Sequence, residues 1–284
     1  MLPVGPAYLE AREVQMALMA SLQRLDFPAI NKLPGWFSKH DYLAFNYILK
    51  TQIDQGNSGD TLEIGAYAGK SAVLIGLNTK ENESFHVCDV FATPVDLENA
   101  EEIGRSYANL SREIFEANYL SFFEKLPVIH ECLSSDLKIR LKKSRFRFIH
   151  IDGSHLYKNV KEDLDFAVAH IHKDGVIAID DFRSEHTFGV ARATWDLVNL
   201  GRLIPILMTP AKIYLAPKGS KFENDHMASY FASNGVNITL EQFNDEEFIR
   251  TCLARGESVY ARKIGKSDFV PPILLEILRR RFDL

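Results

Sequence analysis

FRFIHIDGSHLYKNVKEDLDFAVAHIHKDGVIAIDDF, from Phe146 to Phe182, is the stretch whose reading decides the fold. It reads as strand, helix, strand. FRFIHI and GVIAI are short apolar runs of the length expected for buried strands. Between them Val160, Leu164, Ala167, Val168 and Ile171 recur at three- and four-residue steps, so a helix over 157–171 has one apolar face. A unit of this length joins two parallel strands through a right-handed crossover. Asp152 stands just past the first strand; Asp180 and Asp181 stand just past the second. If the strands lie close together, these carboxylates and His155 meet on one rim, where open α/β sheets bind ligands.

Working outward, TLEIGAYAGKSAVLIGLNTK predicts a short strand over 62–64, a turn with two glycines, and a helix over 70–78. This layout brings backbone N–H groups and a helix N-terminus close to a ligand. The spacing is Glu63, Gly65, Gly69, a GxxxG pattern, not the GxGxxG of a dinucleotide fold. SFHVCDVF is a second strand with Asp89 at its end, where an acid suits ribose hydroxyls. PVIHECLSSDL gives a third strand followed by Ser134, Ser135 and Asp136. After Asp181 come a loop, a helix over 190–200 and a hairpin about Thr209-Pro210.

The predicted fold is therefore α/β: a Rossmann-like, seven-stranded, mostly parallel sheet with a C-terminal antiparallel hairpin and helices on both faces. Residues 1–58 form a helical extension suited to a cap or an oligomer contact, 59–218 the core, and 219–284 an appendage of mixed structure. Within the appendage, DEEFIRTCLARG reads as a helix, ESVYARKIG as an edge strand and PPILLEILRRRF as a last helix.

The chain has 284 residues, 46% hydrophobic and 25% charged, which suits a globular protein. Its net charge of −5 and lack of a basic patch argue against nucleic acid. Cys88, Cys132 and Cys252 are odd in number and form no CxxC, which argues against structural zinc and a disulfide framework. Charges interrupt the first apolar run, so no signal peptide is expected, and no uncharged stretch is long enough for a membrane helix. The expected location is the cytoplasm. An apolar face on the first or last helix would support a homodimer.

These motifs together resemble the class I S-adenosylmethionine-dependent methyltransferases. LEIGAYAGKS resembles the family's first motif, and the acid ending the second strand resembles its ribose-binding acid. IDGSH and DDF, at their separation, resemble a branch of small-molecule O-methyltransferases that includes the macrocin-type sugar methyltransferases. The resemblance covers about residues 33–216. It implies that Glu63, Gly65, Ala66, Gly69 and Ser71 surround the methionine part of S-adenosylmethionine and that Asp89 takes the ribose. Ser134, Ser135 and Asp136 fall at the adenine end, with Cys132 where a glycine is common. It further implies that Asp152, Asp180 and Asp181 hold Mg²⁺ or another hard divalent cation, that Asp152 also borders the cofactor, and that His155 is the base.

The metal reading also has a physical reason. Two carboxylates about 4 Å apart repel by roughly 4 kcal/mol at an effective dielectric near 20. Three on one rim need a cation or protons, and all-oxygen ligands favour Mg²⁺ or Ca²⁺ over zinc. The expected reaction is metal-assisted methylation of a hydroxyl on a small molecule, a sugar or polyketide-type natural product. Competing readings are a metal-independent O- or N-methyltransferase using His155 or His186, and a scaffold that binds S-adenosylmethionine without transferring its methyl. His150 and His172 read as structural, and Trp36 as a core residue.

Overall fold

The computed structural model describes residues 27–91, 111–222 and 226–259. The first and last predicted helices, the 92–110 loop and most of the predicted 257–265 strand lie outside them. The described residues form one sheet in the order β3-β2-β1-β4-β5-β7-β6-β9-β8. Its strands are β1 (Asp60–Ile64), β2 (Phe85–Asp89), β3 (Val128–Glu131), β4 (Phe146–Ile151), β5 (Ile171–Ile179), β6 (Leu203–Met208), β7 (Ile213–Pro217), β8 (Asn237–Phe243) and β9 (Glu246–Cys252). β1 to β5 are mutually parallel, and β7 runs antiparallel to both β5 and β6.

Every residue of β4 is buried, as expected of a central parallel strand covered on both faces. Alternate residues along the strands feed two apolar layers. Phe148, Val176, Ala178 and Tyr214 pack toward helices Lys39–Asp54 and Lys70–Leu77. Ile149, Ile151, Ile177 and Ile179 pack toward helices Tyr157–His170 and Phe188–Val198. The Tyr157–His170 helix passes into β5 at Ile171 without a loop, so Ile171 begins the strand rather than ending the helix.

The seven predicted strands are present, and two more extend the sheet. The segment read as a helix, DEEFIRTCLARG, instead supplies the whole of β9. β8 and β9 pair antiparallel about Asn244-Asp245, with Phe243 opposite Glu246. Asn244 adopts φ +55°, a conformation Asn tolerates in tight hairpin turns. β9 then pairs parallel to β6 through Leu207–Ile249 and Met208–Arg250. Tertiary pairing at the edge of β6 outweighs the helical propensity of the segment. Trp36 also departs from expectation: it is 45% exposed and leans on Tyr67, ring centroids 5.3 Å apart.

The strand order reverses between β1 and β4, which opens a crevice at their carboxyl ends. The two loops there are pressed together. Asp152 N–H donates to the Ile64 carbonyl at 2.7 Å, and Gly65 N–H to the Cys88 carbonyl at 2.8 Å. Gly65 sits at φ +81°, and a Cβ on it would stand 2.0 Å from the Asp152 carbonyl oxygen, so only glycine fits.

At the opposite end of β4, Arg147 is fully buried. Its guanidinium donates to Glu83 at 2.9–3.1 Å, to the Asn78 carbonyl at 2.5 Å and to Gln52 Oε1 at 3.1 Å. Gln52 returns a bond to the Arg147 carbonyl at 2.6 Å. One ion pair thus joins helix Lys39–Asp54, β4 and the turn before β2. Burial alone would raise the Glu83 carboxyl, but Arg147 holds it below its usual value. Its stabilising contribution is therefore fully present above the unfolded-state value and is lost as pH falls through the lower folded value. Arg147→Leu strands a buried carboxylate and should cost about 3–5 kcal/mol in urea unfolding. It should also flatten the acid limb of the stability curve attributable to Glu83.

Candidate active site

The first wall of the crevice is the turn after β1. Asp89, at the end of β2, accepts from the Ala66 and Tyr67 amides at 2.7 and 3.0 Å through Oδ2, and from Phe91 N–H at 2.7 Å through Oδ1. The carboxylate expected at the ribose thus also fastens the glycine turn. Burial pushes it up, and the three amides work against that. Gly69 leads into helix Lys70–Leu77. Glu63 lies wholly buried behind the turn, where its Oε1 accepts from Ser71 at 2.5 Å and contacts His150 Nδ1 at 2.8 Å. Ser71 is therefore tied to Glu63. Burial raises the Glu63 carboxyl to about 8, and its Oε2 has no hydrogen-bond partner.

Ser134, Ser135 and Asp136 form a single 3-10 turn after β3. Ser134 hydrogen-bonds Asp163 on the neighbouring helix, although burial still raises that carboxyl to about 7. The turn lies at the β3 side of the crevice, away from the rim aspartates.

The second wall is a cleft lined by Asp152, Gly153, Ser154, His155, Asp180 and Asp181. His155 Nε2 lies 2.9 Å from Asp181 Oδ2. Asp181 is the anchor of its loop. It adopts φ +54°, its N–H donates to Asp180 Oδ1 at 2.7 Å, its Oδ1 accepts from Ser184 at 2.5 Å, and its carbonyl accepts from Thr187 at 2.7 Å. Burial would raise the Asp181 carboxyl, but the hydrogen bonds from His155 and Ser184 hold it down at about 2. The backbone of His155 is fixed as well: a Cβ on Gly189 would stand 2.5 Å from its carbonyl oxygen, so the start of helix Phe188–Val198 presses directly on it. His186 is exposed and meets the His155 ring edge-on, centroids 6.3 Å apart.

The Asp181 carboxylate is taken up by His155 at Oδ2 and by Ser184 at Oδ1. Among the described residues, the side chains whose potential ligand atoms gather within 4.8 Å of one another are His150, Asp152 and Asp180. Beside them stands Lys212, from the β6–β7 hairpin, 1% exposed. Its Nζ touches Asp180 Oδ2 and lies 3.9 Å from Asp152 Oδ2. The Asp180 contact falls short of hydrogen-bond geometry, so charge holds it. Burial opposes the ammonium, but Asp180 and Asp152 more than offset this and hold Lys212 above the usual lysine range. Burial and then Asp180 push the Asp152 carboxyl well up, although 27% of its side chain still meets solvent. Burial and then Lys212 push the His150 imidazole well down, with Asp180 working against them.

The three aspartates expected to hold a divalent cation do not converge as one ligand set. Asp181 is committed to His155, and an ammonium already stands between Asp152 and Asp180. Lys212 and His150 are the site residues the sequence reading missed. The signal for Lys212 was a single charge inside the apolar run ILMTPAKIYLA, because a lysine is almost never fully buried without a partner.

Residues 62–182 match the family model described as "Methyltransferase domain". No curated protein matches the chain. Among solved structures it is similar to the O-methyltransferase NovP, at 14% identity and a TM-score of 0.49 over 62% of this chain and 78% of that one. It is also similar to CalS11, a calicheamicin methyltransferase, at 18% identity and a TM-score of 0.47 over 76% and 94% of the two chains. No helix among the described residues is long and apolar enough to cross a membrane. The glycine turn, the strand-end acids and the β4–β5 unit all fall within residues 62–182, the part of the chain that matches this methyltransferase domain model.

Proposed function

We propose that this chain transfers the methyl group of S-adenosylmethionine to a hydroxyl oxygen of a small molecule, with His155 as the base. The observation that carries the reading is the Asp181–His155 pair at 2.9 Å, on the same rim as the β1 glycine turn. The cofactor fits the first wall: a tight glycine turn, a following helix N-terminus and a strand-end acid are the groups that take a nucleoside.

When bound, S-adenosylmethionine supplies an electrophilic methyl carbon on a sulfonium. Its sulfur would be the leaving group of a transfer to the acceptor oxygen, and the His155 imidazole would take the proton that the acceptor hydroxyl gives up. Asp181 fixes the ring through Nε2 and stabilises the imidazolium that forms, as a carboxylate does for a histidine base. The glycine turn and the β4 loop bring donor and acceptor into line, which is where most of the rate gain of such a transfer arises. The acceptor we favour is a hydroxylated molecule of the sugar or polyketide type, met in the cytoplasm. In this reading the residues before helix Lys39–Asp54, which itself packs on the sheet, serve as a cap or an oligomer contact.

S-adenosylhomocysteine should bind the wild-type chain in isothermal titration. Asp89→Ala, which frees three backbone donors of the turn, should weaken that binding at least about tenfold, or ~1.4 kcal/mol. His155→Ala should keep the affinity but lower transfer of tritiated methyl to a panel of sugars and phenols by about 10²–10⁴. No binding at millimolar S-adenosylhomocysteine, or full turnover by His155→Ala, would overturn the reading.

A further inference from the structure

We propose that Lys212 is the resident cation of the rim, occupying the place between Asp152 and Asp180 that a divalent ion would need, so that the site excludes the metal and works without it. This rests on the methyl-transfer reading for its role in the reaction, but the occupancy itself rests on geometry alone.

Four observations support it. The ammonium touches Asp180 and lies 3.9 Å from Asp152, so one positive charge serves both carboxylates. The side chain is 1% exposed, so leaving this place would mean crossing packed interior rather than swinging into solvent. The lysine backbone is fixed: its N–H donates to Thr209 Oγ1 at 2.9 Å, and its carbonyl accepts from Thr209 N–H at 2.8 Å. Thr209 is fixed in turn by Asp41, whose Oδ1 accepts from Thr209 Oγ1 at 2.5 Å and from Tyr214 at 3.0 Å. The Phe37 ring covers the ammonium at 5.5 Å from its centroid, a favourable cation–π placement.

Lys212 is a positioning residue. It neutralises Asp180 deep in the rim and holds Asp152 with part of its side chain turned to solvent, beside His155. A metal-assisted site grips two adjacent oxygens of its acceptor; a fixed ammonium that is itself buried makes no such demand. The acceptor therefore needs to offer only one hydroxyl, and proton removal falls to the His155–Asp181 pair.

The test is Mn²⁺ binding followed by electron paramagnetic resonance, with S-adenosylhomocysteine titration run alongside. The wild-type chain should bind no Mn²⁺ up to millimolar concentration and show no thermal shift with it. Lys212→Ala should gain a Mn²⁺ site, and Lys212→Ala/Asp180→Asn should lose it again. Mn²⁺ binding by the wild type at micromolar concentration, abolished by Asp180→Asn, would overturn the proposal. So would a folded Lys212→Ala that takes up no Mn²⁺. If Lys212→Ala does not fold, the wild-type titration and thermal shift still decide. Failure of S-adenosylhomocysteine to bind, with Mn²⁺ still excluded, would sink the methyl-transfer reading and leave the Lys212 assignment standing.

Discussion

The contact between the Lys212 ammonium and the Asp180 carboxylate is the constraint on which the rim depends. Both groups are buried. Separately each would carry a desolvation cost of several kcal/mol, and removing either strands the other. Together they tie the end of β5 to the β6–β7 hairpin. Through Thr209 and Asp41 the tie continues into helix Lys39–Asp54, capped by Ser38, whose Oγ accepts from Asp41 N–H at 3.0 Å. The charge that balances the site is thus part of the fold. The pair to which we assign the chemistry, His155 and Asp181, lies nearer solvent.

The two walls of the crevice are built by different means. The wall formed by the β1 turn is mostly backbone: Gly65 lets the β1 and β4 loops touch, and Asp89 gathers three amides of the turn. The wall formed by the β4 and β5 loops is made of side chains, held by short polar contacts around Asp181 in its left-handed conformation. Positive φ at a non-glycine residue costs energy and persists only where surrounding bonds compensate for it. Here those bonds also aim His155. Arg147, at the far end of β4, anchors the other end of the same strand and keeps its charge away from the rim.

Much of this was readable in the residues, and the reason is local encoding. The strand–helix–strand of 146–179 announces itself by period and length, and the β1 turn by its glycines. The hairpin is announced by Thr209-Pro210. What escaped depends on contacts distant in sequence. Asp180 and Asp181 are adjacent in the chain, which invites a shared role, yet one faces Lys212 and the other His155. Lys212 meets Asp152 only because β7 pairs with β5. His150 lies on β4 and is a strand residue by pattern, but its ring spans from Glu63 toward Asp152. β9 was lost to its charged, helix-favouring composition, although Asn244-Asp245 carried a hairpin signal. Trp36 was expected in the core, but it stands half out of the surface against Tyr67.

The central claim is that the rim beside the cofactor turn is balanced by a lysine and not by a metal ion. The most direct measurement is X-ray diffraction from crystals grown with S-adenosylhomocysteine and MnCl₂, recorded with anomalous signal from manganese. The account predicts S-adenosylhomocysteine over the Gly65–Gly69 turn, Lys212 between Asp152 and Asp180, and no manganese peak at those carboxylates. A manganese peak at oxygen-ligand distance from Asp152 and Asp180, with the Lys212 side chain displaced, would contradict it.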